Sequence, residues 1–324
     1  MAYPKSVVKK VQNYYNDLKI ANQSRRDRLE QEIYEKIPEI KEIDRMLSGV
    51  NAKIAQAAVS GGDVALLISE IRTENERMQG EKIKLLKKHG YPEDYLEPKY
   101  GCTTCSDSGY IDGKICRCFE KKLKEEAYKE SNLPLVMAEN SFENVNLDYY
   151  SDEGEQPTPR MRMMAILKVC RRYAENFGEN SENLLMCGGT GLGKTLMSSC
   201  IAKKVLESGA SVYYQPAYRI FQLFEEYKFE DSRKDALKVQ IDDIFGSDLL
   251  IIDDLGTELA TSYTAEVLFD LLNTRINNRK KMIINTNLDY DKLETIYSPR
   301  ITSRLSGEFR HLEFVGDDIR ALKK

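Results

Sequence analysis

The chain has 324 residues, a formal net charge of −4 and 31% charged residues. That is room for two domains with an ordinary core, and too nearly neutral for the whole surface to attract a polyanion, so any nucleic-acid contact has to come from a local patch. No apolar run reaches the roughly 18 residues of a membrane span, and the opening MAYPKSVVKKVQNYYNDLK lacks the apolar core of a signal peptide, which predicts a cytoplasmic protein with no membrane partner.

The residues Leu29, Ile33, Ile37, Ile40, Ile43, Leu47, Val50 and Ile54 recur at steps of three and four, which predicts helix. Pro38 interrupts the run and predicts a kink or a break. The stretch SGGD at 60–63 is a breaker ending in a good N-cap, after which Val64, Leu67, Ile68, Ile71 and Met78 restart a helical stripe towards Lys88. The whole reads as a helical hairpin with charged outer faces, within residues 1–95. It is either a solvated structural element or a docking arm; a two-helix arm cannot bury both its faces alone, which favours docking.

Next comes YGCTTCSDSGYIDGKICRCFEKK, with Cys102, Cys105, Cys116 and Cys118. A CxxC turn lets two thiolates reach one ion while backbone amides offset their charge, and the Gly and Asp residues between the pairs suit a tight hairpin that returns the second pair. Four soft ligands without a nearby histidine predict tetrahedral Zn2+, structural because no coordination position stays open, in a small module at 96–130. A redox pair or free thiols is the alternative. Cys170, Cys187 and Cys200 stand alone among apolar residues and read as small buried hydrophobes. After the helix-like FEKKLKEEAYKES, the polar, turn-rich FENVNLDYYSDEGEQPTPR predicts a linker within 131–159 and a last domain at 160–324.

In LLMCGGTGLGKTLMSSCIAKK the loop Gly188, Gly189, Thr190, Gly191, Leu192, Gly193, Lys194 and Thr195 fits GxxxxGK[ST]. Glycines let backbone amides close around phosphates, the lysine reaches the β and γ oxygens, and the threonine hydroxyl binds Mg2+, so ATP with Mg2+ is expected. The strand-like NLLMC before the loop and the helix-like TLMSSCIAKKVLES after it, stopped by Gly209, are the context the motif needs. A buried-strand run, SDLLIIDDLG, delivers Asp253 and Asp254 at its carboxyl end, where open α/β sheets bind ligands. Asp253 is expected to hold Mg2+ through water and Asp254 to polarise the attacking water, unless both merely cap. KKMIINTNLDY is a further strand leading to Asn287, an amide that bridges water and γ-phosphate or else a turn asparagine. In SPRITSRLSGEFRHLEF, Arg300 and Arg304 share a helical face, suited to entering a neighbouring subunit's site or else ordinary surface arginines.

Taken in order, the phosphate loop, LLIIDDLG, IINTN and ITSRL make residues 141–324 resemble the AAA+ ATPases, and more narrowly the bacterial replicative helicase loaders of the DnaC/DnaI type and the similar IstB-like transposition ATPases. The resemblance implies an α/β P-loop domain with a parallel sheet, preceded by a helical arm and a zinc-binding module. It also implies Asp254, Asn287 and Arg304 as catalytic residues (the last a finger in trans) and Arg320 as a second sensor of nucleotide. Partners implied are a hexameric replicative helicase, single-stranded DNA and further copies of the chain. Transposase regulation is the alternative, and a nucleotide-gated adaptor without hydrolysis a third. Two departures stand out: Asp254 replaces the commoner glutamate, which suggests slow, partner-dependent hydrolysis, and the chain stops soon after Arg320, leaving no room for a helical lid. VYYQPAYRIFQLFEEYKFEDSRK interleaves Tyr213, Tyr214, Tyr218, Phe221, Tyr227 and Phe229 with Arg219 and Lys228, a composition suited to stacking on single strands, with Tyr227 or Lys228 as the contact and about half the aromatics in the core. RINNRKK, Arg275 to Lys281, reads as a second basic patch or a solvated helix end.

Overall fold

The computed structural model describes residues 3–48, 64–134, 137, 139–230 and 232–321. The chain forms two compact units, Gln12–Phe119 in one and Met1–Val11 with Glu120–Lys324 in the other.

Helix α1 (Lys5–Lys36) starts well before the predicted stripe, and α2 (Pro38–Ser48) follows after a break at Ile37. Pro38 has no N–H to extend α1, whereas Ile37 still donates to the Ile33 carbonyl at 2.7 Å, so the helix stops where proline chemistry dictates. Helix α3 (Val64–Lys88) returns alongside α2. Ile33, Ile37, Ile40 and Leu86 bury completely or nearly so, with Tyr34, Leu85, Tyr91, Tyr95 and Leu96 packed on them; each such aliphatic side chain contributes about 1.5–3 kcal/mol. A half-buried ion pair, Lys82 to both Asp44 oxygens at 2.6 and 2.8 Å, fixes the hairpin register. The breaker at 60–63, Val50, Ile54 and the side chains of Val64, Leu67 and Ile68 lie outside the described residues. The same unit holds a two-stranded antiparallel hairpin, β1 (Tyr110–Ile111) with β2 (Lys114–Ile115). Asp112 and Gly113 link the strands at φ +48° and +76°, the doubly left-handed turn that an Asp-Gly pair favours.

The larger unit takes in most of α4 (Arg117–Glu130) and continues through α5 (Pro159–Glu175), β3 (Asn183–Cys187), α6 (Lys194–Glu207), β4 (Val212–Pro216), α7 (Ala217–Phe229) and α8 (Lys234–Gly246). It ends with β5 (Leu249–Leu255), α9 (Ser262–Asn277), β6 (Lys281–Thr286), α10 (Tyr290–Tyr297), α11 (Pro299–Glu308) and β7 (Phe309–Glu313). Five strands pair in parallel in the order β4-β5-β6-β3-β7, the α/β architecture that the alternating strand and helix patterns imply. Strands buried on both faces carry continuous apolar runs, which is why LLIIDDL and KMIINT are so readable. In the stretch read as a linker, short 3-10 turns at Phe142–Asn144 and Leu147–Tyr149 flank buried Phe142 and Tyr150.

One expectation is corrected. Arg275 belongs to no basic patch: it is fully buried, and its guanidinium donates to the carbonyls of Ile244, Phe245, Ser247 and Lys281. Helix α9 aims it at the carbonyl end of α8, where a cation both fills orphan acceptors and complements the helix dipole.

Candidate functional site

The sheet order brings the carboxyl ends of β3, β5 and β6 to one edge, with β3 flanked by β6 and β7 while its successor β4 lies at the far side. This is the switch point at which open α/β sheets bind ligands. An open cleft of about 260 Å³ lies there, lined by the loop from Thr190 to Leu196 and by Asp254, Thr257, Asn287, Ile319 and Arg320.

Lys194 opens α6 and is nearly buried, and its three N–H donors all have acceptors: the carbonyls of Gly188 and Gly189 and Oδ1 of Asn287, each at 2.7 Å. Burial lowers its pKa, and the nearby Asp254 and Asp253 charges oppose that shift. Asp253, 3% exposed, lies below the cleft. It accepts from the Thr195 hydroxyl at 3.1–3.2 Å, Asn285 Nδ2 at 2.7 Å, the Asp254 N–H at 3.2 Å, and the Tyr214 hydroxyl. Asp254 turns the other way because its backbone is left-handed, φ +53°, and so faces the cleft. Burial and then Asp253's charge raise its pKa, while Lys194, Arg320 and Asn287 pull it down. Thr257 donates to the Asp254 carbonyl at 2.9 Å and steadies that turn.

The arrangement suits Mg2+ bound to phosphates. A threonine hydroxyl beside a buried carboxylate is the required donor set, and Asn285 Oδ1, buried with no hydrogen-bond partner, is an acceptor that an ion-bound water would satisfy.

Helix α11 carries Arg300 and Arg304, both exposed, and neither lines this cleft. Arg320 does line it, held by a segment whose Phe314 N–H donates to Cys187 at 2.7 Å and whose Ile319 N–H donates to Gly191 at 3.1 Å. Tyr297 donates to Glu258, tying the turn after β5 to the helix before α11.

Residues 157–306 match the family described as IstB-like ATP binding protein. The chain carries an IstB-like ATP-binding domain. A replicative helicase loader DnaC of Buchnera aphidicola subsp. Acyrthosiphon pisum (strain APS) is 25% identical over 187 residues, 57% of this chain and 70% of the relative. The DnaC loader of Escherichia coli (strain K12) is 23% identical over 165 residues, 51% of this chain and 62% of the relative. A crystal structure of DnaI aligns with a TM-score of 0.46 at 21% identity, covering 58% of this chain and 95% of that one. The IstB-like match contains Lys194, Thr195, Asp253, Asp254, Asn287 and Arg304 but neither Arg320 nor Cys102, Cys105, Cys116 and Cys118.

The four cysteines form a second candidate site, in the Gln12–Phe119 unit. Their sulfurs all lie within 4.8 Å of one another, with Cys105 and Cys118 at 3.4 Å and Cys102 and Cys116 at 3.9 Å. Bonds of about 2.3 Å from a tetrahedral zinc would space sulfurs roughly 3.8 Å apart, so the set fits the ion. The Asp107 carboxylate accepts from the N–H groups of Gly101 and Cys102 at 2.9 and 2.7 Å, shaping the first turn. The Cys102 thiol is held low, chiefly by the backbone and thiol of Cys105, whereas burial pushes Cys118 up.

Three residues escaped the sequence reading. Tyr214 stands in sequence among the core and stacking aromatics, yet its hydroxyl meets Asp253. Asn285, two residues before Asn287, braces that same carboxylate. Tyr150, from the stretch read as a linker, donates to the Leu192 carbonyl within the phosphate loop at 3.0 Å. IINTN shows both asparagines, but only strand direction tells which one points under the cleft. Of the aromatics, Tyr213, Tyr214 and Phe221 are buried while Tyr218 and Phe229 are exposed, and Lys228 sits over the Tyr263 and Phe229 rings at 4.9 and 5.6 Å.

Proposed function

We propose that the chain is an ATPase that loads a hexameric replicative helicase onto DNA. What carries the reading is the convergence of Lys194, Thr195, Asp253, Asp254 and Asn287 from three strand ends, within a domain whose relatives include replicative helicase loaders. The loop Gly188 to Thr195 wraps the phosphates of ATP. Lys194 trades its loop carbonyls for β and γ oxygens, and Thr195 and Asp253 hold Mg2+, the latter through water. Asp254 orients the attacking water and Asn287 senses the γ-phosphate. Arg304 of an adjoining copy neutralises charge developing in the transition state, and Arg320 reads the nucleotide from the carboxyl-terminal segment. The shorter Asp254 carboxylate gives slow turnover, accelerated by DNA and helicase.

The helical arm at 1–95 grips the helicase, Cys102, Cys105, Cys116 and Cys118 hold a structural Zn2+ in the module at 96–130, the stretch at 131–159 leads into the ATPase domain, and the domain at 160–324 self-assembles and touches single-stranded DNA. The exposed Phe229 beside Lys228 and Tyr263 offers the aromatic and cationic surface that sequence-tolerant stacking uses.

The IstB-like match favours one second reading, regulation of a transposase. The full-length chain, with the replicative helicase of its own source and circular single-stranded DNA, decides between them. A loader deposits helicase on the circle with ATP, and the Lys194→Ala chain does not. Helicase deposition that ignored the wild-type chain, together with ATP turnover stimulated by a transposase, would reverse the choice.

A further inference from the structure

Four donors converge on the Asp253 carboxylate, and three have an evident origin: the loop threonine, the following residue's own N–H, and Asn285 of the adjacent strand β6. The fourth, Tyr214, comes from the other side of β5, on the edge strand β4. Strand register explains its reach. Tyr214 pairs with Ile251, and Pro216 pairs with Asp253, so the tyrosine starts two residues short of the aspartate, about 6.6 Å along a strand. A phenol spans that step; serine or threonine at the same position would fall short. The residue is 3% exposed, and its backbone N–H donates to the Ser131 carbonyl at 2.8 Å, which ties the outer side of this edge strand.

We propose that Tyr214 is a positioning residue for the divalent cation that accompanies the nucleotide: its hydroxyl fixes the Asp253 carboxylate so that the edge accepting from Thr195 is turned towards the cleft. A neutral donor suits that place. Lysine or arginine would aim the carboxylate equally well but would repel Mg2+, whereas phenylalanine would leave the carboxylate free to turn. Asn285 works from the opposite side, with Nδ2 shared between Asp253 at 2.7 Å and Ser198 Oγ at 2.9 Å, so the carboxylate is clamped between two uncharged donors from its two neighbouring strands. Such a clamp governs cation affinity and leaves the phosphate-binding amides untouched. The inference rests on Thr195 and Asp253 holding Mg2+, and is independent of what the ATPase is used for.

The test uses the full-length chain and a fluorescent ATP analogue, titrated in EDTA and then across Mg2+ and Mn2+ concentrations. Tyr214→Phe is expected to bind the analogue in EDTA within about twofold of wild type, while the Mg2+ concentration for half-saturation rises about tenfold, the scale of losing one hydrogen bond to a charged group. Mn2+, held more tightly by oxygen and nitrogen ligands, recovers most of the loss. Tyr213→Phe, at the adjacent buried tyrosine that alternates to the other face of the sheet, controls for losing a buried phenol and leaves both values unchanged. Equal weakening in EDTA and in Mg2+ would mean a merely structural hydroxyl and overturn the proposal, as would an unchanged Mg2+ titration or the same shift in Tyr213→Phe. A wild-type chain whose nucleotide binding ignored Mg2+ would overturn the Thr195 and Asp253 pairing and the role of Tyr214 with it.

Discussion

The cleft at the phosphate loop and the cysteine cluster each gather side chains suited to a cation, but they are stabilised in different ways. In the cleft the charged groups are satisfied by the protein itself: Lys194 has three acceptors and Asp253 four donors. Asp253 sits on a strand buried in a five-stranded sheet, and Lys194 opens the helix that follows β3 of the same sheet. Among the cysteines, Cys102 and Cys105 sit in a turn before a pair of two-residue strands and Cys118 in the first turn of α4, and the sulfurs face mainly each other. A thiolate is weakly served by neighbouring thiols, so such a cluster depends on its metal for stability. The contrast is between a site built by its fold and a fold completed by its site.

Stripping the metal should therefore give the largest effect. Structural zinc sites of this kind are worth on the order of 10 kcal/mol, more than a small hairpin can replace. We expect about one zinc per chain by metal analysis, lost in a Cys102→Ser, Cys105→Ser chain, with increased hydrogen exchange around Tyr110–Ile115 and ATP binding retained. Full zinc content in that chain, or ATP binding lost along with the metal, would collapse the distinction between the two sites.

Arg304→Ala comes next. Lys194 is the loop's only side-chain cation, and a trans arginine is worth roughly a thousandfold or more in rate. The variant should bind ATP nearly normally and lose hydrolysis measured with DNA and helicase present. Lys194→Ala should weaken binding on the order of a hundredfold, the loss of charge-assisted hydrogen bonds to phosphate. Mixing the two dead chains should restore part of the turnover, because one contributes an intact loop and the other an intact arginine. Wild-type hydrolysis by Arg304→Ala would transfer the role to Arg300, one helical turn away on α11.

What could be read from the chain follows the same contrast. Motifs whose meaning is local were legible: the phosphate loop between strand and helix, the CxxC turn, the Asp-Gly hairpin, the break at Pro38. Strands β5 and β6 were legible because burial on both faces leaves runs such as LLII and MII. What escaped depends on pairing between distant residues. Tyr214 meets Asp253, 39 positions away, only because β4 lies beside β5. Arg275 looked like part of a basic patch until α9 turned it under α8. The first half of α1 gives little sequence signal because Val7, Val11 and Tyr15 are a thin apolar stripe in a polar helix.

The smallest effect tests whether the cleft really is held by packing. Gly191 sits at φ +77°, and a Cβ there would come within 1.7 Å of Asp318 Oδ1 and 2.2 Å of its Cγ, so the carboxyl-terminal segment is moulded against the loop at a glycine, where no side chain obstructs it. Gly191→Ala therefore carries two separable costs. Left-handed backbone at a residue with a Cβ costs roughly 1–2 kcal/mol, and Asp318 must move, loosening the Ile319 to Gly191 hydrogen bond and the placement of Arg320. Truncating Asp318 removes the second cost and leaves the first. Gly191→Ala should weaken ATP binding about tenfold and lower the melting temperature by a few degrees, while the Gly191→Ala, Asp318→Ala chain recovers part of the affinity but not the backbone cost, a non-additivity expected of residues in contact. Asp318→Ala alone loses only its acceptance from the Arg320 N–H at 2.9 Å and should change affinity little. Strict additivity of the two substitutions would mean that the segment does not shape the loop, and the cleft would then resemble the cysteine cluster more closely, a site waiting for its ligand to set it.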